Sequence, residues 1–199
     1  MIACLWIGRL QVMNIETLAD LRCHNASDCE DVCAVHVIVG RTSGGLELGF
    51  RLDGNISRIC LTPRRGRQGL VELWRHTCFE AFVAIDGQAA YHEFNFAPTH
   101  EWGVYAFRAY RDPAPLANVL RSPIIAINTM DDRLELDARI ILADLSAVHS
   151  HSPLRLGLSA VIESRNRSLS YWALRHPTDK PDFHDAAAFS FRLEPPTSE

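Results

Sequence analysis

Leu46-Glu47-Leu48-Gly49-Phe50-Arg51-Leu52, set between Gly44-Gly45 and Asp53-Gly54, alternates apolar and other residues one for one. A period of two sends every second side chain to the same face of an extended chain, the pattern of a half-buried strand, and the flanking glycine dipeptides are turn signals. Upstream, the valine-rich run from Cys33 to Val39 reads as the preceding strand, and Ile56 to Leu61 reads as the following one. Comparable runs continue to the C-terminus: Phe79 to Ile85, Ala90 to Phe96, Trp102 to Tyr110, Leu134 to Ile140, Leu154 to Ile162, Leu169 to Leu174 and Phe189 to Leu193. Many short strands divided by turns predict an all-β antiparallel sandwich in one domain. Minor helix is expected only over Ile141 to Val148 and within the first ~20 residues.

Composition narrows the function. The chain has 199 residues, 47% of them hydrophobic and 22% charged, enough for one large β core. A net charge of −4 argues against a nucleic-acid or anionic-membrane partner, because such binding needs dense Lys and Arg. The basic run Arg64-Arg65-Gly66-Arg67 is short and reads as a solvated loop. No apolar stretch approaches the ~20 residues of a membrane span. Six cysteines, Cys4, Cys23, Cys29, Cys33, Cys60 and Cys78, occur without a secretory-type leader, so free thiols in a reducing cytoplasm are expected. Cys29 and Cys33 form a C-x3-C pair with no second pair downstream, too few ligands for structural zinc.

The chemistry concentrates in Trp74-Arg75-His76-Thr77-Cys78-Phe79-Glu80-Ala81-Phe82 and Tyr91-His92-Glu93-Phe94-Asn95-Phe96. A two-residue loop at Asp86-Gly87 would set Phe82 opposite Tyr91, Glu80 opposite Glu93 and Cys78 opposite Asn95. One hairpin face is then polar, while Phe79, Ala81, Val83 and Ile85 with Phe94 and Phe96 face the core. Facing carboxylates repel unless a cation, a donor or a shared proton offsets them, which makes Glu80 and Glu93 a candidate site. The bland alternative is a pair of surface acids matched by Arg75 and Arg108. A three-residue loop would shift the register by one and separate the two.

These two segments, with Trp102 and Tyr105, and the closing Leu169-Ser170-Tyr171-Trp172-Ala173-Leu174-Arg175-His176-Pro177 and Lys180-Pro181-Asp182-Phe183-His184, resemble the bacterial DOMON-like family, relatives of the family 9 carbohydrate-binding modules. The resemblance covers residues 23–194, leaving 1–22 as an N-terminal extension and 195–199 as a tail. It implies a jelly-roll-like β-sandwich whose members bind sugars or haem. Trp74, Cys78, Glu80 and Phe82 match the modules' pattern, but Arg75, His76 and Thr77 stand where those modules are often acidic, a departure that speaks against carrying over a calcium site.

Three functions compete. A small-ligand module, most simply for a sugar, needs flat aromatic surface and a few polar groups, for which Trp74, Arg75, His76, Glu80, Tyr91, Glu93, Asn95, Trp102 and Trp172 are the candidates. Tyr171 and Trp172 are adjacent in one strand, so only one of them can face the core. A haem-binding redox sandwich would need an axial ligand such as His76, His92, His176 or His184 in an apolar pocket, and no C-x-x-C-H attachment motif is present. A glycoside hydrolase would use Glu80 and Glu93 as its carboxylate pair. His76 and Cys78 could form a thiol nucleophile if both lay on one extended face, but no nucleophile signature accompanies them. Met13 offers a second start, and deleting residues 1–12 is expected to leave the melting temperature nearly unchanged, because terminal segments contribute little unless docked.

Overall fold

The computed structural model describes residues 16–43, 45–61, 72–118 and 120–196. Twelve strands occupy them: β1 Glu16–Cys23, β2 Val32–Thr42, β3 Gly45–Gly54, β4 Cys78–Ile85, β5 Tyr91–Phe96, β6 Trp102–Ala109, β7 Asp112–Ala114, β8 Ile124–Thr129, β9 Arg133–Ile140, β10 Leu154–Glu163, β11 Leu169–Ala173 and β12 Phe191–Leu193. The helices among them are single turns and two short α-helices, α1 Leu142–Leu145 and α2 Ala147–His151, where minor helix was expected. Every pairing is antiparallel. The order β1-β2-β3-β9-β8 makes one sheet, and β7-β6-β5-β4-β10-β11 makes the other, with β12 added beside β10.

Strand β1 closes the sandwich at one corner. Residues Glu16 to Leu21 pair with β2, and Arg22 and Cys23 pair with β11, so this strand passes from one sheet to the other. Helix was expected in the first ~20 residues, and from Glu16 onward the structure corrects it. Leu18 and Leu21, three apart, mimic a helical stripe, but Leu18 is exposed while Leu21 is buried. Residues 16–22, assigned by the resemblance to an extension, thus supply sheet backbone. Met1 to Val12, Met13 and the Arg64–Arg67 run lie outside the described residues.

Two further expectations change. Ile56 to Leu61 is a 3-10 turn, Ile56–Arg58, followed by a single bridge between Ile59 and Ser164 rather than a strand. Cys23 and Cys29 are paired as a disulfide across the turn after β1, whereas free thiols were expected. The edge strands β7 and β8 were not anticipated; β8 is mostly solvated, and its isoleucines show little alternation in sequence.

The core is where the periodic runs meet. Leu46, Leu48, Phe50 and Leu52 of β3, the alternate residues Leu134, Leu136, Ala138 and Ile140 of β9, and Val35, Val37 and Val39 of β2 are all buried. From the opposite sheet come Phe79, Ala81 and Val83 of β4, Phe94 and Phe96 of β5, and Leu154, Leu156 and Leu158 of β10. The rings of Phe50 and Phe79 meet across the two sheets with centroids 5.1 Å apart. Arg41 at the end of β2 is buried and donates to the carbonyls of Leu193, His149 and Ser152, tying α2 and β12 to the core. Replacing Phe50 by Ala is expected to cost about 3–5 kcal/mol, read from chemical denaturation, since the large void cannot be filled from two hydrogen-bonded sheets.

Candidate functional site

The outer face of the β4–β5 hairpin is set by the pleat, and its register differs from the simplest expectation by two residues. Gln88 N–H donates to the Ile85 carbonyl across Asp86-Gly87, and Gly87 takes a φ of 81°, so the turn is where the sequence puts it. The chain then runs on before pairing, and Ala84 meets Tyr91, Phe82 meets Glu93 and Glu80 meets Asn95. The expected facing of Glu80 with Glu93 is thereby corrected to a diagonal. A slip of two preserves the faces, so Glu80, Phe82, Tyr91, Glu93 and Asn95 still share one side.

That side forms a cleft of about 370 Å³. Its floor is Glu80 and Phe82 of β4, Glu93 of β5 and Val161 of β10. Tyr105 and Phe107 of β6 flank it on one side and Tyr171 of β11 on the other, while Trp74, Arg111 and the segment holding Pro181, Phe183 and His184 complete the rim. Trp74 stands on the 3-10 turn Leu73–Arg75, 36% exposed, with its ring edge-to-face with Tyr105 at 5.4 Å.

Both carboxylates are buried, Glu80 at 2% and Glu93 at 6% exposure. The Ser159 hydroxyl, opposite Glu80 on β10, donates to it at 3.2 Å, and the Asn95 amide donates to Glu93 at 2.8 Å. Neither arginine proposed as a bland partner reaches them: Arg75 pairs with Glu72 and Arg108 with Asp112. Burial raises the Glu80 carboxyl well above the usual carboxylate range and the neighbouring Glu93 adds to it, against a smaller lowering by the Ser159 hydroxyl. Burial also raises Glu93, opposed by the Asn95 amide and the charge of Arg111.

The rim is held by a connected network. Arg111, in the turn between β6 and β7, has a left-handed backbone with φ 50°, a conformation that costs a non-glycine residue roughly 1–2 kcal/mol. Its N–H donates to the Tyr91 hydroxyl, and its guanidinium donates to Asp182 at 2.8 Å. Tyr110 also donates to Asp182, which accepts the His184 N–H as well. The Tyr91 hydroxyl, already accepting from Arg111, donates to Nδ1 of His184 at 2.8 Å. That assignment leaves the Nε2 proton of His184 turned toward Glu93, 3.5 Å away. Burial, with the charge of Arg111, lowers His184 to about 4, so its approach to Glu93 is that of a neutral ring rather than an ion pair.

Of the nine residues expected from sequence, Trp74, Glu80 and Glu93 line the cleft, while Tyr91 and Asn95 bond to lining residues, Tyr91 to His184 and Asn95 to Glu93. The other four lie elsewhere. Trp172 packs in the core with its Nε1 donating to Ser170, which leaves Tyr171 on the cleft side. Trp102 also packs against the core, one pleat out of phase with Tyr105. His76 binds Glu163 at 2.7 Å, and Arg75 is solvated with Glu72. Tyr105, Phe107, Arg111, Tyr171 and Phe183 also line the cleft and were not among the ligand-site candidates, and His184, considered only as a haem ligand, joins them; strand parity could have found Tyr105 and Phe107, while Arg111 and His184 arrive through tertiary contacts.

The remaining chemistries fit poorly. Cys78 is fully buried, with burial and both glutamates raising its thiol, and His76 is engaged by Glu163, so no thiolate pair forms. Among the four histidines considered for haem, only His184 lines the cleft, and its ring nitrogens face Tyr91 and Glu93. Among the described residues no group of three or more His, Cys, Asp or Glu could hold a metal ion. No helix among them is long and apolar enough to cross a membrane.

Because Glu80 has a raised folded-state pKa, the folded protein retains a proton that the unfolded chain releases, and stability falls as pH rises from the ordinary carboxylate range toward the folded value. Glu80→Gln removes this slope. As pH rises above the ordinary carboxylate range, followed from about pH 5 to 8, the variant is expected to gain stability over the wild type until the folded Glu80 itself ionises, by at most about 1.4 kcal/mol per pH unit. Denaturant titrations across that range check it; a difference that stays flat or shrinks would refute the buried-acid description.

No family model and no curated protein matches the chain. Its fold has clear likenesses among solved structures. A candidate carbohydrate-binding protein from Bacteroides uniformis aligns with a TM-score of 0.63 at 15% identity, over 87% of this chain and 84% of that one. A family 9 carbohydrate-binding module from Caldicellulosiruptor kristjanssonii aligns in its glucose complex with a TM-score of 0.61 at 8% identity, over 96% and 89% of the two chains. In its cellotriose complex the values are 0.56 and 9%, over 90% and 80%. At such identities the shared property is the fold, and the chain is built on the β-sandwich seen in family 9 carbohydrate-binding modules.

Proposed function

We propose that this protein is a saccharide-binding module whose ligand lies in the cleft over the β4–β5 hairpin. The observation that carries the reading is the coexistence of exposed aromatic surface, Trp74 against Tyr105, with buried acceptors, Glu80 and Glu93, in one concavity. A pyranose ring presents apolar C–H faces and a rim of hydroxyl donors, and it needs both kinds of wall at once. The sandwich likeness to modules whose structures hold glucose and cellotriose supports the same reading, as does the resemblance of residues 23–194 to DOMON-like domains.

The left-handed Arg111 and the two poorly solvated acids fit a binding site better than a structural element. Each opposes folding, and each is held in place by neighbours that also shape the cleft. Hydrolysis would require a carboxylate pair that protonates a leaving group from one side and assists attack from the other. Glu80 and Glu93 stand side by side on one floor, which favours holding a ligand over that division of roles.

The test is a titration of the purified chain with glucose and cellotriose, followed by Trp emission and calorimetry. A saturable change is expected, and Trp74→Ala should weaken affinity by about tenfold or more while leaving the melting temperature within a few degrees. Aryl glycosides should release no product. Unchanged affinity in Trp74→Ala would move the site away from the cleft.

A further inference from the structure

We propose that the cleft prefers an amino sugar, its ring against Trp74 and Tyr105 and its ammonium between the carboxylates of Glu80 and Glu93. This rests on the saccharide reading above and adds the chemical class of the ligand.

The unbalanced charge of the cavity is the reason. Besides the phenols of Tyr105 and Tyr171, four ionisable side chains from four parts of the chain converge there: Glu80 from β4, Glu93 from β5, Arg111 from the β6–β7 turn, and His184. Arg111 forms its ion pair with Asp182 at 2.8 Å, and its charge acts on Glu93 only from a distance, with no hydrogen bond between them. His184 is neutral, with Nδ1 engaged by Tyr91. What remains is two buried carboxylates that, among the described residues, meet only uncharged groups: the Ser159 hydroxyl at Glu80, and the Asn95 amide and the neutral His184 ring at Glu93. The cavity therefore holds two buried acids and no cation bonded to either among the described residues, an arrangement in which burial favours the protonated form of each.

A metal ion does not suit the gap. Calcium takes six to eight oxygen ligands, and no third acidic, cysteine or histidine ligand joins the pair among the described residues. An ammonium is satisfied by fewer acceptors, donates up to three hydrogen bonds, and is stabilised by aromatic rings around it. Phe82 and Tyr105 line the same cavity as the acids and supply such rings. A neutral sugar brings no charge to oppose the burial that favours the protonated acids. An amino sugar displaces that proton to solvent and puts a fixed positive charge in its place.

Calorimetry with glucosamine, N-acetylglucosamine and glucose near neutral pH tests this on the wild-type chain. Glucosamine is expected to bind about tenfold or more tightly than either neutral sugar, the difference made by a hydrogen bond to a charged group. Its binding heat should vary with the ionisation enthalpy of the buffer, which reports proton release. In Glu80→Gln and Glu93→Gln, with folding verified by circular dichroism, the preference should collapse to within about twofold. Glucose binding as tightly as glucosamine, or more tightly, overturns the amino-sugar assignment and leaves the saccharide reading standing. Failure of all three sugars and of cellotriose to bind overturns both.

Discussion

The pleat of β4 and β5 sends alternate side chains to opposite faces, and the apolar half of that division is pressed against the facing sheet where Phe79 meets Phe50. Once Phe79, Ala81, Val83, Phe94 and Phe96 are in the core, Glu80, Phe82, Tyr91, Glu93 and Asn95 have no choice but the outer face. Both the core and the candidate site therefore depend on one constraint. It also explains why a register two residues away from the simplest hairpin leaves the site residues in place: the slip preserves parity and alters only who stands opposite whom.

An outer sheet face would ordinarily be wet, and its acids would be solvated. Here the chain returns after β11 and lays Pro181, Phe183 and His184 over that face, while Tyr105, Phe107 and Tyr171 wall it in. Phe189 stacks on Phe82, and Tyr91 stacks on Phe107 with centroids 4.8 Å apart, so the aromatic packing beside the cleft is itself ordered. The result is a concave, partly dry surface in which two carboxylates lose hydration without gaining a cation. Asp182 fastens the covering segment by accepting from Tyr110 and Arg111, and the guanidinium of Arg111 is thereby bonded to Asp182 rather than to either acid.

The sequence alone carried the all-β architecture, because period-two alternation in β3 and β9 and turn signals such as Asp86-Gly87 are local properties of the chain. It also carried the separation of polar and apolar faces on the central hairpin, and with it the shared face of Glu80 and Glu93. It misread β1, where leucines three apart look helical when their neighbours are unknown. It also selected Trp102 and Trp172, since a tryptophan serves a core as well as a binding surface and only the phase of the strand tells which. What tertiary structure decided was the company of the acids: Arg111 and His184 lie 18 or more positions from Glu93 in the chain and meet it only when the β6–β7 turn and the segment after β11 close over the sheet. Burial, and so the raised carboxyls and the neutral histidine, depends on that closure, because desolvation is a property of the assembled surroundings rather than of the residue or its neighbours in sequence.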